Sequence, residues 1–234
     1  MHERTYDDFD EFAENYRNIH SENIKISGTD SYYFAEMKVR LLKQYETDST
    51  LNILDVGCGD GATELYFQQY FPNWKIDGID ISSESIKFAQ RRDLTNSTFQ
   101  VYDSFKFPFK EDSFDRVFIA GVLHHIAFNQ HNLLVKEIFR VLKKNGKLFL
   151  YEHNPLNPIT RHLVNTCVFD KNAKLLYPWY TKKILQRNKL KPIFHQYIIF
   201  FPRTGILSKL IFLEKYLQWL PIGGQYFCSA IKRD

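Results

Sequence analysis

Leu51-Asn-Ile-Leu-Asp-Val-Gly-Cys-Gly-Asp-Gly-Ala62 is the stretch whose reading decides the fold. An apolar run ends in three alternating glycines, Gly57, Gly59 and Gly61, and a helical pattern follows directly. Glycines there allow a tight strand-to-helix turn and let a ligand lie against bare backbone at a helix N-terminus. Working outward, short apolar runs recur at Leu51–Val56, Trp74–Ile79, Thr98–Tyr102, Phe114–Ala120 and Lys147–Tyr151, with helix-like segments between them. That alternation predicts a parallel sheet with crossover helices.

Two helices are expected before the first strand, over Tyr6–Ile19 and Ser31–Tyr45. After Lys147–Tyr151 the pattern changes at Asn154-Pro155 and Asn157-Pro158. A strand near Pro192–Phe201, a helix over Gly205–Leu220 and a last strand at Gln225–Lys232 close the chain. The expected organisation is one α/β domain over 1–234: N-terminal helices (1–48) covering the ligand, a binding core (51–153), an acceptor-side insertion and lid (154–222), and a final strand (223–234).

Gly57-x-Gly59-x-x-Ala62, with Asp80 ending the second strand, fits a dinucleotide fingerprint and leaves a nicotinamide oxidoreductase open. Two features favour a nucleoside without a pyrophosphate. Asp55 stands two residues before the first glycine, where a negative charge suits an ammonium or sulfonium centre and repels a diphosphate. Asp103 ends the third strand, and Tyr102-Asp103-Ser104 could hydrogen-bond an adenine edge. Taken singly, each acid reads more readily as an ordinary loop or capping residue.

Residues 51–153 resemble a class I S-adenosylmethionine-dependent methyltransferase. The resemblance rests on LDVGCGDG, GIDIS at the second strand end, YDS after the third, FDRVFIAGVLHHI through the fourth and FRVLKKNGKLFLYEHN into the fifth. It implies a Rossmann-like, doubly wound sheet of about seven strands, the last antiparallel. It further implies that the loop of Gly57 and Gly59 cradles the methionine portion of the cofactor and that Asp80, with Ile81 beside it, binds the ribose hydroxyls. Asp103 and Ser104 would meet the adenine, and Ala120-Gly121 would line the cofactor. S-adenosyl-L-homocysteine is the expected product.

Methyl transfer from a sulfonium is an in-line displacement, so a base is needed only where the acceptor holds its proton. His125 after the fourth strand and His153 after the fifth are the candidates, with His124, Glu152 and Asn154 beside them at the carboxyl ends where open α/β sheets bind ligands. The alternative for the His-His pair is packing or capping. Arg161 and His162 could meet an anionic acceptor or cap a helix.

Apolar residues make up 44% and charged residues 25%, which argues against a disordered or fibrous chain. No apolar run is long enough to span a bilayer, and the acidic start MHERTYDDFDEF is unlike a signal peptide. A cytoplasmic protein is expected. Cys58, Cys167 and Cys228 form no C-x-x-C pair, so neither a disulfide framework nor a metal site is expected.

Up to Ile126 there are 13 basic and 22 acidic residues; beyond it there are 18 and 5. The basic half could face an anionic acceptor, nucleic acid or membrane, or simply be solvated. At 100° per residue, Gly205–Leu220 gathers Ile206, Leu210, Leu213, Leu217 and Leu220 on a face expected to pack on the sheet, with Phe212, Tyr216 and Trp219 opposite, among Ser208, Lys209 and Lys215. That second face could touch anionic lipid at the inner face of a membrane, a hydrophobic acceptor or another subunit, or be covered by the insertion. The expected partner is a small-molecule acceptor, possible members of the class including lipid- and sugar-linked ones. An RNA or other nucleic-acid methyltransferase is the alternative, disfavoured because Ala120-Gly-Val-Leu-His-His125 replaces the Asn/Asp-Pro-Pro-aromatic motif of amino-directed enzymes. A non-catalytic cofactor-binding protein would share the same loop.

Overall fold

The computed structural model describes residues 21–22, 28–102, 106–168 and 170–233. The expected helix over Tyr6–Ile19 and the site residues Asp103 and Ser104 lie outside them. Seven strands form one sheet: β1 (Asn52–Val56), β2 (Lys75–Asp80), β3 (Ser97–Val101), β4 (Phe114–Ala120), β5 (Leu142–His153), β6 (Leu190–Ile198) and β7 (Gln225–Lys232), in the spatial order β3-β2-β1-β4-β5-β7-β6. β7 runs antiparallel to both its neighbours, and the remaining pairs are parallel. The expected Rossmann-like doubly wound sheet is the one observed.

Period-two alternation supplies a core on each face. Leu54, Val117 and Leu148 are register partners facing one side, where α4 (His131–Val141) brings Leu134, Val135 and Ile138, and α6 (Pro178–Arg187) brings Ile184 and Leu185. Ile53, Phe118, Phe149 and Tyr151 face the other, under α1 (Ser31–Leu42) with Val39 and Leu42, and α2 (Ala62–Tyr70) with Phe67. Burial on both sides explains why these strands read as nearly continuous apolar runs. α3 (Ser83–Gln90), capped by Ser82, and α5 (Pro158–Thr166), capped by Asn157, are the other longer helices among the described residues.

At the amino ends of β4 and β5 the buried Glu46 carboxylate accepts from Arg116 Nη2 and Lys147 Nζ, each at 2.6 Å, while Arg116 also reaches Asp48 at 3.0 Å. These charges tie the segment after α1 to the sheet at the end opposite the glycine loop.

The segment Gly205–Leu220 departs from expectation. It is a 3-10 helix (Ile206–Leu213) followed by one α turn, α7 (Glu214–Leu217), and none of its residues is buried. Ile206, placed on the packing stripe by the helical period, is 79% exposed, whereas Phe212, Tyr216 and Trp219 are exposed as the opposite face should be. The sheet face is already covered by α4 and α6, so the segment docks beside the end of edge strand β6 instead. Glu214 Oε1 accepts from the amides of Phe200 and Phe201, and Tyr197 N–H donates to Gln218 O at 2.7 Å. Among the described residues no helix is long and apolar enough to cross a membrane.

Candidate active site

The strand order reverses between β1 and β4, and the crevice at their carboxyl ends is where open α/β sheets take ligands. The glycine loop occupies that point. Gly57 and Cys58 N–H both donate to Ile79 O, and Gly59 N–H donates to Asp80 Oδ2 at 2.9 Å while Ser82 N–H donates to Oδ1 at the same distance. Asp80 therefore joins the loop after β1 to the turn after β2, beside the half-buried Ile81.

The three loop glycines all have positive φ but serve different ends. A Cβ on Gly57 would sit 2.3 Å from Val122 Cγ2, and one on Gly61 would press on Ala89 and Phe99. A Cβ on Gly59 would meet nothing within 4 Å. Gly59 is thus bare backbone on an open face, the cradle a nucleoside cofactor's amino-acid portion requires, and the residues present fit such a group.

Asp55 is only 2% exposed, lying beneath the loop against the fully buried Glu64 of α2. Neither side-chain oxygen of Glu64 has a hydrogen-bond partner among the described residues. Burial pushes Asp55 up to about 7 and Glu64 well above the usual carboxylate range, with mutual repulsion adding to the rise in Glu64. Beside the loop, Gly121 (φ +70°) donates to Tyr151 O at 2.9 Å, turning the chain out of β4 just past the half-buried Ala120.

The histidines cluster at the carboxyl ends of β4 and β5. Glu152, buried on β5, accepts from Leu123 N–H at 2.8 Å through one oxygen and meets His124 Nδ1 at 2.7 Å through the other. The far nitrogen of His124 lies 3.6 Å from Asp170 Oδ1, and His125 Nε2 lies 3.5 Å from that same oxygen. His153 packs edge-on to His124, ring centroids 5.0 Å apart. Burial alone would lower His124, but the carboxylates of Glu152 and Asp170 raise it to about 9. Burial, then the charge of His124, lowers His125 to about 3 and His153 to about 4. Against the effect of its own burial, His124 holds Asp170 well below the usual carboxylate range.

Behind this cluster His131 Nε2 lies 2.9 Å from the carbonyls of both Leu123 and Ile126, so Nε2 carries the proton and Nδ1 accepts from Tyr180 Oη. The Asn154-Pro-Leu-Asn-Pro run is a latch. The buried Asn154 amide donates to Pro221 O and Gly223 O, and its Oδ1 accepts from Leu156 N–H. Arg161 and His162 are exposed on α5, whose cap is Asn157 rather than either of them.

The structure thus gathers Asp55, Gly57, Gly59, Asp80 and Ile81 around one loop, and His125 and His153 around His124. Asp170 and Glu64 escaped sequence reasoning. Glu64 carries a faint signal as an acid in the first turn of the helix leaving the glycine loop, whereas Asp170, in the turn between α5 and α6, has no local one.

Residues 53–146 match the model of a methyltransferase domain family. The chain is 32% identical over 130 residues to the uncharacterized methyltransferase YcgJ of Bacillus subtilis (53% of this chain, 50% of that one). It is 30% identical over 148 residues to a demethylmenaquinone methyltransferase of Symbiobacterium thermophilum (60% and 57%). It therefore spans little more than half the length of these two relatives. A phosphoethanolamine N-methyltransferase of Haemonchus contortus, solved with S-adenosyl-L-methionine, shares the fold at a TM-score of 0.67 and 18% identity, covering 97% of this chain and 60% of that one. Sheet order and glycine loop together give the chain a Rossmann-like methyltransferase fold, and residues 53–146 are similar to a methyltransferase domain.

Proposed function

We propose that the chain transfers the methyl group of S-adenosylmethionine to a small-molecule acceptor. The observation that carries this reading is the open face of Gly59, tied to Asp80 at the switch point of the sheet. When bound, the cofactor supplies a methyl group on a sulfonium, an already activated electrophile, so alignment of the acceptor accounts for most of the acceleration. Asp80 accepts from the ribose hydroxyls while keeping the loop in register. Gly57, Gly59 and Ile81 border the methionine and ribose portions, Ala120 and Gly121 line the opposite wall, and Asp103 and Ser104 serve the adenine. Asp55, beneath the loop, adds a negative potential toward the cationic centre once ionised, above about pH 7. His125 and His153 stand on the acceptor side and orient it.

Relatives named for demethylmenaquinone and phosphoethanolamine support a small acceptor. A lipid-linked acceptor, reached by peripheral contact with anionic lipid, is supported by exposed Ile206, Phe212 and Trp219 beside Lys209 and Lys215. The test has two parts. S-adenosylhomocysteine should raise the melting temperature while NAD(P) leaves it unchanged. Cell extract incubated with the chain and methyl-labelled cofactor should yield a labelled small molecule by mass spectrometry. Absence of both stabilisation and label overturns the reading.

A further inference from the structure

Apart from the glycine loop, the described residues bring His124, His125 and Asp170 together, with one donor atom from each lying within 4.8 Å of the other two. We propose that these three side chains form a binding site for a divalent cation of the zinc type, two imidazoles and one carboxylate with a coordination position left open.

The spacing is the first reason. Both imidazole Nε2 atoms stand 3.5–3.6 Å from the same Asp170 oxygen. That exceeds the roughly 2.7–3.2 Å of an N–H···O bond. Ligands at about 2.0–2.1 Å from a tetrahedral ion are themselves roughly 3.4 Å apart. The two imidazole-to-carboxylate spacings are therefore long for hydrogen bonds and close to the edge length of a metal polyhedron, and the donor atoms of all three residues lie within 4.8 Å of one another.

The second reason is the support behind the ligands. Glu152 meets Nδ1 of His124 at 2.7 Å and is itself held by Leu123 N–H. With Nδ1 donating to Glu152, Nε2 of His124 faces Asp170 and is the nitrogen an incoming ion would take in place of its proton, the way a carboxylate behind a histidine prepares it to bind a metal. Asp170 is positioned by backbone: its N–H donates to Cys167 O, its carbonyl accepts from Ala173 N–H, and Lys174 N–H donates to His124 O at 2.7 Å. The turn between α5 and α6 is thereby clamped to the turn that carries both histidines, and the ligand set sits on fixed supports.

The donor set selects the ion. Two imidazoles and one carboxylate without thiolate suit zinc and its neighbours in the first transition row, whereas magnesium and calcium take oxygen ligands. The side chains of His125 and Asp170 are 21% and 13% exposed, giving an entry path, while His124 at 2% anchors the interior. The absence of a cysteine pair in the sequence has no bearing on this set. Binding of the ion does not depend on the methyl-transfer reading; if both hold, the open position lies on the acceptor side, and His125 acts on the acceptor through the ion.

The test uses the metal-stripped full chain without S-adenosylmethionine, titrated with Zn²⁺ by calorimetry and with Co²⁺ by visible absorption. The expected result is one ion per chain, a tetrahedral Co²⁺ spectrum and a raised melting temperature with Zn²⁺. Asp170→Ala and His125→Ala should each weaken Zn²⁺ binding at least tenfold, and Glu152→Gln by about 10–100-fold. The exposed control His162→Ala should leave it unchanged. No stoichiometric binding, or binding indifferent to Asp170→Ala and His125→Ala, overturns the proposal. Where a variant does not fold, X-ray absorption of the zinc-loaded wild type decides: two imidazoles and oxygen ligands support the site, and sulfur or all-oxygen ligation overturns it. S-adenosylhomocysteine affinity, measured alongside, separates failure of this site from failure of the methyl-transfer reading.

Discussion

Gly59 and Asp80 are bonded directly, backbone N–H to carboxylate at 2.9 Å, so the residue that leaves the cofactor loop bare and the residue assigned to the ribose are held as one unit. Asp80→Ala removes an acceptor of charge-assisted hydrogen bonds and releases the loop. We expect it to weaken S-adenosylhomocysteine binding by roughly 1.5–3 kcal/mol, read by calorimetry on folded protein. Wild-type affinity would refute the assignment of Asp80.

The loop glycines should separate in their phenotypes. Gly59→Val projects into open space and should abolish cofactor binding while costing only the strain of a positive φ. Gly57→Ala collides with Val122 and should lower the melting temperature as well. Calorimetry and thermal denaturation on both variants provide the check; equal loss of stability in the two would contradict it.

Asp55 gives a pH dependence with a defined sign. Its folded pKa of about 7 lies above the unfolded 3.8, so between those values the folded chain keeps a proton that the unfolded chain has lost. The contribution of Asp55 to stability should fall as pH rises from about 4 to about 7, by up to roughly 1.4 kcal/mol per pH unit, and level off above, while Glu64, raised well above the carboxylate range, adds to the fall. Urea midpoints without cofactor at pH 5 and pH 8 measure this. Asp55→Asn should narrow the gap between them.

Arg116 is the buried cation between Glu46 and Asp48, far from the glycine loop. Arg116→Ala leaves Glu46 with only Lys147 and should cost about 3–5 kcal/mol of stability without changing cofactor affinity per folded molecule. Denaturant titration and calorimetry on one preparation test both halves.

The segment after Gly205 should bind anionic vesicles at low salt. Basic residues near such a surface contribute about 1 kcal/mol each and are screened over roughly 8 Å at physiological ionic strength. Lys209→Glu with Lys215→Glu should abolish co-sedimentation with phosphatidylglycerol vesicles, and Trp219→Ala should weaken it. Binding indifferent to salt and to these changes would return the acceptor to the soluble class.

The legible parts of the sequence were those whose physics is local. β4 and β7 have the boundaries expected of them, because apolar alternation and flanking turn residues both mark their ends. β5 starts earlier than expected, at Leu142, because Lys143-Lys144-Asn145-Gly146 reads as a turn although Leu142 pairs with Phe114 across a register shift. The Gly205–Leu220 stripe failed because a 100° period assumes an α-helix, and Gly205 enters at φ +66° with no side-chain cap into a 3-10 helix. In the site, Gly59 and Asp80 announce themselves through neighbouring residues. Asp170 reaches the histidines only through the packing of a distant turn, which no spacing rule encodes.

The position of β7 has a consequence for the order in which the chain can assemble. β7 follows β6 in sequence yet lies between β5 and β6 in space. During synthesis β1 to β5 can pair as they emerge, but β6 has no place in the sheet until β7 has been made. Its apolar residues Tyr197 and Ile198 must wait unpaired during that interval. A ribosome stalled between the two strands should therefore hold a nascent chain with a formed five-stranded sheet and a protease-sensitive β6, the interval in which a chaperone would find it.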